Sequence, residues 1–232
     1  MSKKAISDSH MKREVCYTCY RPIGSCMCEY IVPLETKTRF VILMHPKEFR
    51  KTKNGTGHFT NLSLSNCELH VGVDFTNNVS INNILSDKNN ACYVLYPSDT
   101  SINLNTSSIH KSTKNTVIFL IDATWPCSRS MLLRSPNLDV LEKVSFTHTK
   151  VSNFQFKTQP KDYCLSTMES TLCVLELLNA HNDENLDAKS LKSFLLPFEK
   201  MVAYQVGCVR GTSSTKLPLF SQTFQKKYSS LC

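Results

Sequence analysis

The sequence predicts an α/β protein with a mostly parallel sheet and helices on both faces, preceded by a small cysteine-rich segment. Three observations support this prediction: short apolar runs of strand length, helical patterns between and after them, and four cysteines crowded near the N-terminus. Short apolar strands separated by helical segments are typical of parallel sheets. The length of 232 residues fits an N-terminal appendage of residues 1–35 and one α/β domain of residues 36–232.

Three apolar runs are predicted to form buried strands. They are Arg39–Met44, Ala91–Tyr96 and Thr116–Ile121. Each run has the length of a strand and the continuous apolar character of one that is covered on both faces. The segments between them are polar, and we predict connections at Asn78–Leu85 and Ser101–Lys114, and a loop or helix entry at Lys47–Phe59.

Helices are predicted mainly in the second half of the chain. Cys127–Arg134 forms a short helix with Pro126 in its first turn, where proline is favoured. A longer helix begins near Ser166, because Ser166-Thr-Met-Glu169 has the spacing of a capping box. A last helical region covers about residues 187–207, with an interruption near the proline at 197.

The charge and glycine content limit the classes of function. The 27 lysines and arginines exceed the 19 acidic residues, which gives a net charge of +8. This excess suits a polyanionic partner such as RNA, although a merely soluble basic protein would show it too. The six glycines form neither G-x-G-x-x-G nor G-x-x-x-x-G-K-[ST], which speaks against a Rossmann dinucleotide site and a P-loop.

Hydropathy predicts the cellular location. No apolar run reaches the roughly 18 residues that a membrane helix needs, so no membrane partner is expected. The polar N-terminus lacks the apolar stretch of a signal peptide. The protein is therefore expected inside the cell, in the cytoplasm or alternatively in the nucleus.

Four of the eleven cysteines form a candidate metal site. Cys16, Cys19, Cys26 and Cys28 have the pattern C-x2-C followed by C-x-C. Two such pairs can direct four thiolates at one tetrahedral ion, and four thiolates are a ligand set typical of structural zinc. The alternatives are four unrelated thiols or an iron–sulfur cluster. Four cysteine ligands leave no open position for catalysis, so a zinc ion here would be structural.

Asp122 follows the most apolar strand and precedes the single tryptophan, Trp125. In parallel sheets, ligands bind beyond the carboxyl ends of the strands. Asp122 is therefore either a catalytic base beside an aromatic surface or the cap of a helix, with Trp125 as core filler in the second case.

Several ordered motifs resemble one family. Asp122-Ala-Thr-Trp125 resembles the D-x-T-W signature of the DTW-domain family, the tRNA-uridine aminocarboxypropyltransferases. The resemblance extends from about residue 15 to 206 and includes the cysteine pattern with Arg21-Pro22. Its other motifs are His45-Pro46-Lys-Glu48, the Asn54-Gly-Thr56 loop, Tyr96-Pro97-Ser98-Asp99 and Leu165-Ser166-Thr167-Met-Glu169. The chain departs from the family pattern at Gly55, Ala123 and Ser170.

The resemblance implies a SPOUT-like, knotted α/β fold and a group transfer from S-adenosylmethionine. The family moves the 3-amino-3-carboxypropyl group of this co-substrate to N3 of a tRNA uridine. The alternatives are an RNA methyltransferase with the same co-substrate, an aminocarboxypropyltransferase acting on ribosomal RNA, or a non-enzymatic zinc-ribbon module that binds RNA.

The resemblance also implies roles for individual residues. Asp122 is the expected base, and Trp125 either stacks on the uracil or adenine or packs in the core. The residues expected around S-adenosylmethionine are Thr56, Pro97, Ser98, Ile121, Asp122, Ala123, Thr124, Leu165, Ser166, Thr167 and Glu169. Glu169 alternatively only closes the capping box. From their charge, candidate contacts to tRNA phosphates are Arg50, Lys51, Lys53, Arg129, Arg134, Lys157 and Lys161, and each of them is alternatively only a solvated surface charge.

Overall fold

Six parallel strands form one sheet in a computed structural model that describes residues 14–50, 55–109, 113–148 and 165–211, without the side chains of 209–211. The strands are β1 Arg39–Met44, β2 Cys67–Val71, β3 Asn90–Leu95, β4 Ile102–Asn103, β5 Asn115–Asp122 and β6 Glu142–Ser145. Their order in the sheet is β2-β1-β5-β3-β6-β4, and every neighbouring pair is parallel.

Helices cover both faces of this sheet. They are α1 Pro46–Phe49, α2 Thr56–Leu62, α3 Val79–Ser86, α4 Trp125–Arg134, α5 Pro136–Asp139, α6 Thr167–Ala180, α7 Ala188–Phe194 and α8 Leu196–Gly211. Two single-turn 3-10 helices, Ile23–Ser25 and Cys28–Tyr30, lie in the cysteine-rich segment. This arrangement confirms the predicted α/β class, whereas the knot stays a prediction.

The alternation of side chains along β1 explains the two layers of helices. Phe40 and Ile42 belong to one buried cluster together with side chains of α2, α6 and α8. Val41 and Leu43 belong to a second cluster with side chains of α3 and α4. Successive side chains of a strand point to opposite faces, so a strand between two helical layers has to be apolar throughout.

The cysteine-rich segment packs on the first of these layers. Cys19, Met27 and Leu34 are buried in the same cluster as Phe40 and Phe59. A boundary at residue 35 therefore separates two parts that share a core, and the division into two domains stays a prediction. Among the described residues, the structure has no helix with the length and apolar character needed to cross a membrane.

Several predicted elements are confirmed by the structure. β1 has the predicted bounds, and β3 and β5 each differ from the predicted strands by one residue at both ends. The capping box begins α6 as predicted, with Ser166 as the N-cap. The interrupted last helical region corresponds to α7 and α8.

Other parts of the sequence prediction were wrong. Asn78–Leu85 is not a connection but forms most of α3, because the Asn78 side chain caps the helix and Ile81 and Ile84 are buried. The predicted connection Ser101–Lys114 contains the short strand β4, and the prediction missed β2 and β6 entirely. Of the four residues of β6 only Val144 is buried, so its sequence lacks the apolar run of a strand.

The carboxyl ends of the strands meet at one edge of the sheet. Met44 pairs with Asp122, and Leu95 pairs with both Leu120 and Val144. The N-termini of α1 and α4 follow directly from β1 and β5 at this edge. Side chains just beyond these strands are therefore brought together.

Candidate active site and zinc centre

The four clustered cysteines have the geometry of a tetrahedral metal site. Their Sγ atoms all lie within 4.8 Å of one another. The Sγ atoms of Cys16 and Cys28 are 3.7 Å apart, as are those of Cys19 and Cys26. A zinc ion with Zn–S bonds of about 2.3 Å requires S···S distances of about 3.8 Å, so the cluster fits zinc. Disulfide bonds need sulfur atoms only about 2 Å apart.

Backbone hydrogen bonds shape the first half of this cluster. The N–H of Tyr20 donates to the carbonyl of Cys16 at 2.8 Å, and the N–H of Cys16 donates to the carbonyl of Arg21 at 2.8 Å. Amides of Cys19 and Thr18 also donate to Cys16 and lower the pKa of its thiol to about 6. This turn therefore presents N–H groups to a thiolate, which favours the form that binds metal.

Arg21 connects the cysteine cluster to α2. Its side chain is only 3% exposed, and its Nε donates to the carbonyl of Ser25 at 2.7 Å. Its guanidinium lies 5.8 Å from the ring centre of Phe59, which belongs to α2. The packing of the cysteine segment is thereby coupled to the helix that approaches Asp122.

A cavity of about 330 Å³ opens at the carboxyl edge of the sheet. It is lined by the ends of β3, β5 and β6 and by the first turns of α4 and α6. The lining residues are Leu95, Tyr96, Pro97, Leu120, Ile121, Asp122, Ala123, Trp125, Ser128, Ser145, Phe146, His148, Leu165, Ser166, Thr167 and Ser170. The floor is largely apolar, whereas hydroxyl groups and Asp122 supply polar contacts.

Asp122 is held in a fixed position within this cavity. It is 7% exposed, and the hydroxyl of Thr167 donates to its Oδ1 at 2.8 Å. On another side α2 approaches closely, since a Cβ placed on Gly57 would collide with Oδ2 of Asp122 and lie 2.7 Å from Cε of Met44. Position 57 therefore has to be glycine if Asp122 is to keep this place.

The first turn of α6 is organised by its capping box. Oγ of Ser166 accepts from the N–H of Glu169 at 3.3 Å, and Oε2 of Glu169 accepts from the N–H of Ser166 at 2.8 Å. Glu169 is 7% exposed and closes the box. The capped start of α6 therefore fixes the position of Thr167, which contacts Asp122, and of Leu165, which lines the same cavity.

Trp125 lies at the mouth of the cavity and is 46% exposed, so it is not core filler. Its ring makes an edge contact with the ring of Tyr96, with the centroids 6.2 Å apart. An aromatic face that is held from one side and open to solvent on the other suits stacking on a planar ligand.

Comparison with known proteins identifies the family. The family model described as the DTW domain matches residues 13–206. The chain belongs to the DTW domain family. The match includes the cysteine cluster, the cavity and all of the sheet.

Curated relatives match about three quarters of the chain at modest identity. The chain is 29% identical over 181 residues to a Drosophila melanogaster protein named tRNA-uridine aminocarboxypropyltransferase 2, with 75% of this chain and 70% of the relative covered. Proteins of the same name from Mus musculus and Macaca fascicularis are 25% and 24% identical over 174 residues. The chain spans 58% of each mammalian relative. No solved structure matches it.

Four of the residues predicted to contact the co-substrate, Thr56, Ser98, Thr124 and Glu169, do not line the cavity of the DTW domain. Thr124 lies between two lining residues, Ser98 follows the lining residue Pro97, and Thr56 precedes Gly57. Among the predicted phosphate contacts, Arg50, Arg129 and Arg134 are exposed. Lys51, Lys53, Lys157 and Lys161 lie outside the described residues.

The structure adds residues of the DTW domain that the sequence did not single out. His148, Phe146 and Ser145 reach the cavity from the end of β6, and the rings of Phe146 and His148 are 5.7 Å apart. They were missed because β6 itself was missed. The close approach of Gly57 was also missed, since a glycine inside a helical segment carries no such signal in one sequence.

Proposed function

We propose that this chain transfers the 3-amino-3-carboxypropyl group of S-adenosylmethionine to N3 of a tRNA uridine, in the cavity around Asp122. The main support is the hydrogen bond between Thr167 and Asp122. It joins two motifs that are 45 positions apart in the sequence and that share one cavity. The names of the curated relatives support the same activity.

The reaction requires the loss of a proton, because the neutral imide nitrogen of uridine is a poor nucleophile. In the proposed step, N3 forms a bond to the arm carbon next to the sulfonium, and that carbon–sulfur bond breaks. The electron pair stays on sulfur, which leaves as neutral methylthioadenosine. Asp122 accepts the N3 proton, and its burial shields the transfer from water.

The choice of group depends on the orientation of S-adenosylmethionine, because three carbons next to its sulfonium are electrophilic. We place the co-substrate against the predicted residues that line the cavity, which are Pro97, Ile121, Ala123, Leu165, Ser166 and Thr167, with Ser98 and Thr124 next to lining residues. Thr56 and Glu169 do not line the cavity. The N-terminus of α6 favours a negative group such as the carboxylate of the transferred arm. Glu169 acts by holding this helix start, through its bond to Ser166.

The RNA would approach from the open side of the cavity. Trp125 stacks on a base there, since its ring is supported by Tyr96 and partly exposed. Arg129 and Arg134 lie on α4, the same helix as Trp125, and are exposed for phosphate contacts together with Arg50. A role in tRNA modification suits the cytoplasm or the nucleus.

The cysteine cluster would hold a structural zinc ion through Cys16, Cys19, Cys26 and Cys28. We expect one zinc per chain, and Cys19→Ser should remove most of it and lower the melting temperature. Structural zinc contributes about 10–16 kcal/mol of binding free energy in isolated finger peptides, so its loss should unfold this segment. Metal analysis and thermal unfolding measure both effects.

Cys127→Ser is the matched control, because Cys127 lies on α4, whose buried side chains belong to the cluster on the opposite face of the sheet from the cysteine-rich segment. It should keep its zinc and its melting temperature. Full zinc content in Cys19→Ser, or zinc loss with an unchanged melting temperature, would contradict a structural metal site.

Mass spectrometry of the RNA product tests the proposed function. Unmodified tRNA is incubated with the protein and S-adenosylmethionine, digested to nucleosides and compared with a reaction that lacks the protein. The proposal predicts a uridine carrying the aminocarboxypropyl group, which is far heavier than a methyl group. A methylated base would show instead that the chain is a methyltransferase.

A further inference from the structure

Exposed apolar side chains are concentrated on the cysteine-rich segment. Tyr17 is 92% exposed, Tyr20 is 46% exposed, and Phe49 on the adjacent helix α1 is 38% exposed. The ring centroids of Tyr20 and Phe49 are 6.4 Å apart. Tyr17 lies in the turn that the N–H of Tyr20 closes onto the carbonyl of Cys16. We call the Tyr20–Phe49 ring pair, together with Tyr17 in this adjoining turn, the aromatic platform. Aromatic rings that are exposed to solvent in one place indicate a binding surface.

A buried histidine supports the platform from below. The His58 ring lies 5.4 Å from that of Tyr20 and 5.2 Å from that of Phe49, measured between centroids. His58 is only 8% exposed, and its burial lowers the pKa of the imidazole. A neutral ring at this position fixes the two aromatic side chains above it.

The backbone of Tyr20 is also unusual. Its φ of 58° lies in the left-handed region that favours glycine. Glycine or asparagine would adopt this turn with less strain. A tyrosine at this position therefore carries a cost in backbone conformational energy. Residues held in such conformations are often functional, and here the strained residue is the centre of the platform.

The platform adjoins the candidate active site. His58 directly follows Gly57, the residue in close approach to Asp122. Phe49 belongs to α1, which begins just after His45, and the N–H of His45 donates to the carbonyl of Asp122 at 3.0 Å. The helices that carry Phe49 and His58 therefore both reach Asp122 through their neighbouring residues, although neither helix lines the cavity itself.

The charges beside Phe49 are two cations, Lys47 and Arg50, and one acid, Glu48, so the net charge next to the platform is positive. Lys47 and Arg50 flank Phe49 on α1 and are exposed, and neither forms an ion pair with another described residue. Stacking aromatic side chains next to free cations are the features by which proteins bind single-stranded nucleic acids. Zinc knuckles are among the modules that bind RNA in this way.

We propose that Tyr17, Tyr20 and Phe49 stack on unpaired bases of the tRNA next to the target uridine. This inference rests on the proposed function for the identity of the RNA. The platform binds the flanking nucleotides, whereas the cavity binds the reacting base. Duplex RNA offers no unstacked bases and should bind more weakly.

The test measures binding of the zinc-loaded full chain to a short, labelled, uridine-rich single strand by fluorescence anisotropy, at one fixed salt concentration. Tyr17→Ala should raise the Kd about 5- to 150-fold, the range for loss of one base–aromatic stack. Tyr17→Phe keeps the ring and should stay within about twofold of the wild type. Phe49→Ala should weaken binding in the same direction.

Val140→Ala is the control, because Val140 is 81% exposed and lies at the end of α5, far along the chain from the platform. It should not change the Kd. Unchanged binding by both Tyr17→Ala and Phe49→Ala, with zinc content intact, would overturn the proposal. Equal affinity of the wild type for the single strand and a matched duplex would also overturn it, because binding would then rest on phosphate charge and not on stacking. No binding of either RNA by the wild type would favour a protein partner for this surface.

The binding assay contains no S-adenosylmethionine, so its result is independent of transfer. If the wild type modifies tRNA and both Tyr17→Ala and Phe49→Ala bind the single strand normally, the proposed role of the platform is refuted and the proposed function stands. If the variants show that the platform binds single strands but the wild type transfers no group to tRNA, only the proposed function is refuted.

Discussion

Asp122→Asn should lower the rate of transfer by about 100- to 10,000-fold, the range for removal of a general base. Asparagine has nearly the same size and can still accept the hydrogen bond from Thr167, so the packing of the cavity should be preserved. It cannot accept the N3 proton at neutral pH. Single-turnover kinetics with saturating tRNA measure the chemical step, and calorimetry measures the binding of S-adenosylmethionine.

Asp139→Asn is the matched control, because it makes the same change at an exposed carboxylate. Asp139 forms an ion pair with Lys143 and does not line the cavity. Its turnover should equal that of the wild type. If Asp122→Asn kept near-normal turnover with intact co-substrate binding, Asp122 would not be the base, and His148 on the same cavity wall would be the next residue to test.

Gly57→Ala should lower the free energy of unfolding and slow transfer, although it adds only one methyl group. A Cβ at this position collides with Oδ2 of Asp122 and lies 2.7 Å from Cε of Met44. Overpacking of this kind costs about 1–3 kcal/mol, although alanine by itself favours a helix over glycine by about 1 kcal/mol. A shift of the carboxylate by about 1 Å is enough to slow a reaction about 100-fold. Urea unfolding and transfer kinetics measure the two effects.

Gly24→Ala is the control for the added methyl group, since nothing lies within 4 Å of a Cβ built there. It should keep both stability and turnover. If Gly57→Ala had a normal free energy of unfolding and normal transfer, a methyl group would fit between α2 and Asp122, which contradicts the close approach of Gly57 to the carboxylate.

The parts of the fold that were predictable from the sequence are those in which one local signal dominates. β1 is almost entirely apolar because it is buried on both faces. α6 begins at a capping box that is recognisable from the residue types and spacing of Ser166 and Glu169. α3 lacked such a signal, since its Asn-rich sequence resembles a loop and its burial rests on Ile81 and Ile84. β2 alternates apolar and polar residues over Cys67–Val71, which is the pattern of a half-buried strand, but it lacks the continuous apolar run on which β1, β3 and β5 were predicted.

The parts of the site that were predictable from the sequence are those in which the residue types and their spacing indicate a chemical role. The cysteine spacing pointed to four converging thiols, and the structure brings their Sγ atoms within 4.8 Å. Asp122 and Trp125 were identified from their place after a strand and from the resemblance to a family. The contacts of Asp122 with Thr167 and Gly57 depend on how distant segments pack, which a single sequence does not reveal.

The most direct test of the central proposal uses two isotopic labels in S-adenosylmethionine, one in the carboxyl group and one in the methyl group. Each labelled compound is incubated with unmodified tRNA and the wild-type protein, with Asp122→Asn in parallel. Transfer of the aminocarboxypropyl group predicts that the carboxyl label enters the RNA, the methyl label does not, and the variant transfers little. Methyl label in the RNA, or no label from either compound, would contradict it.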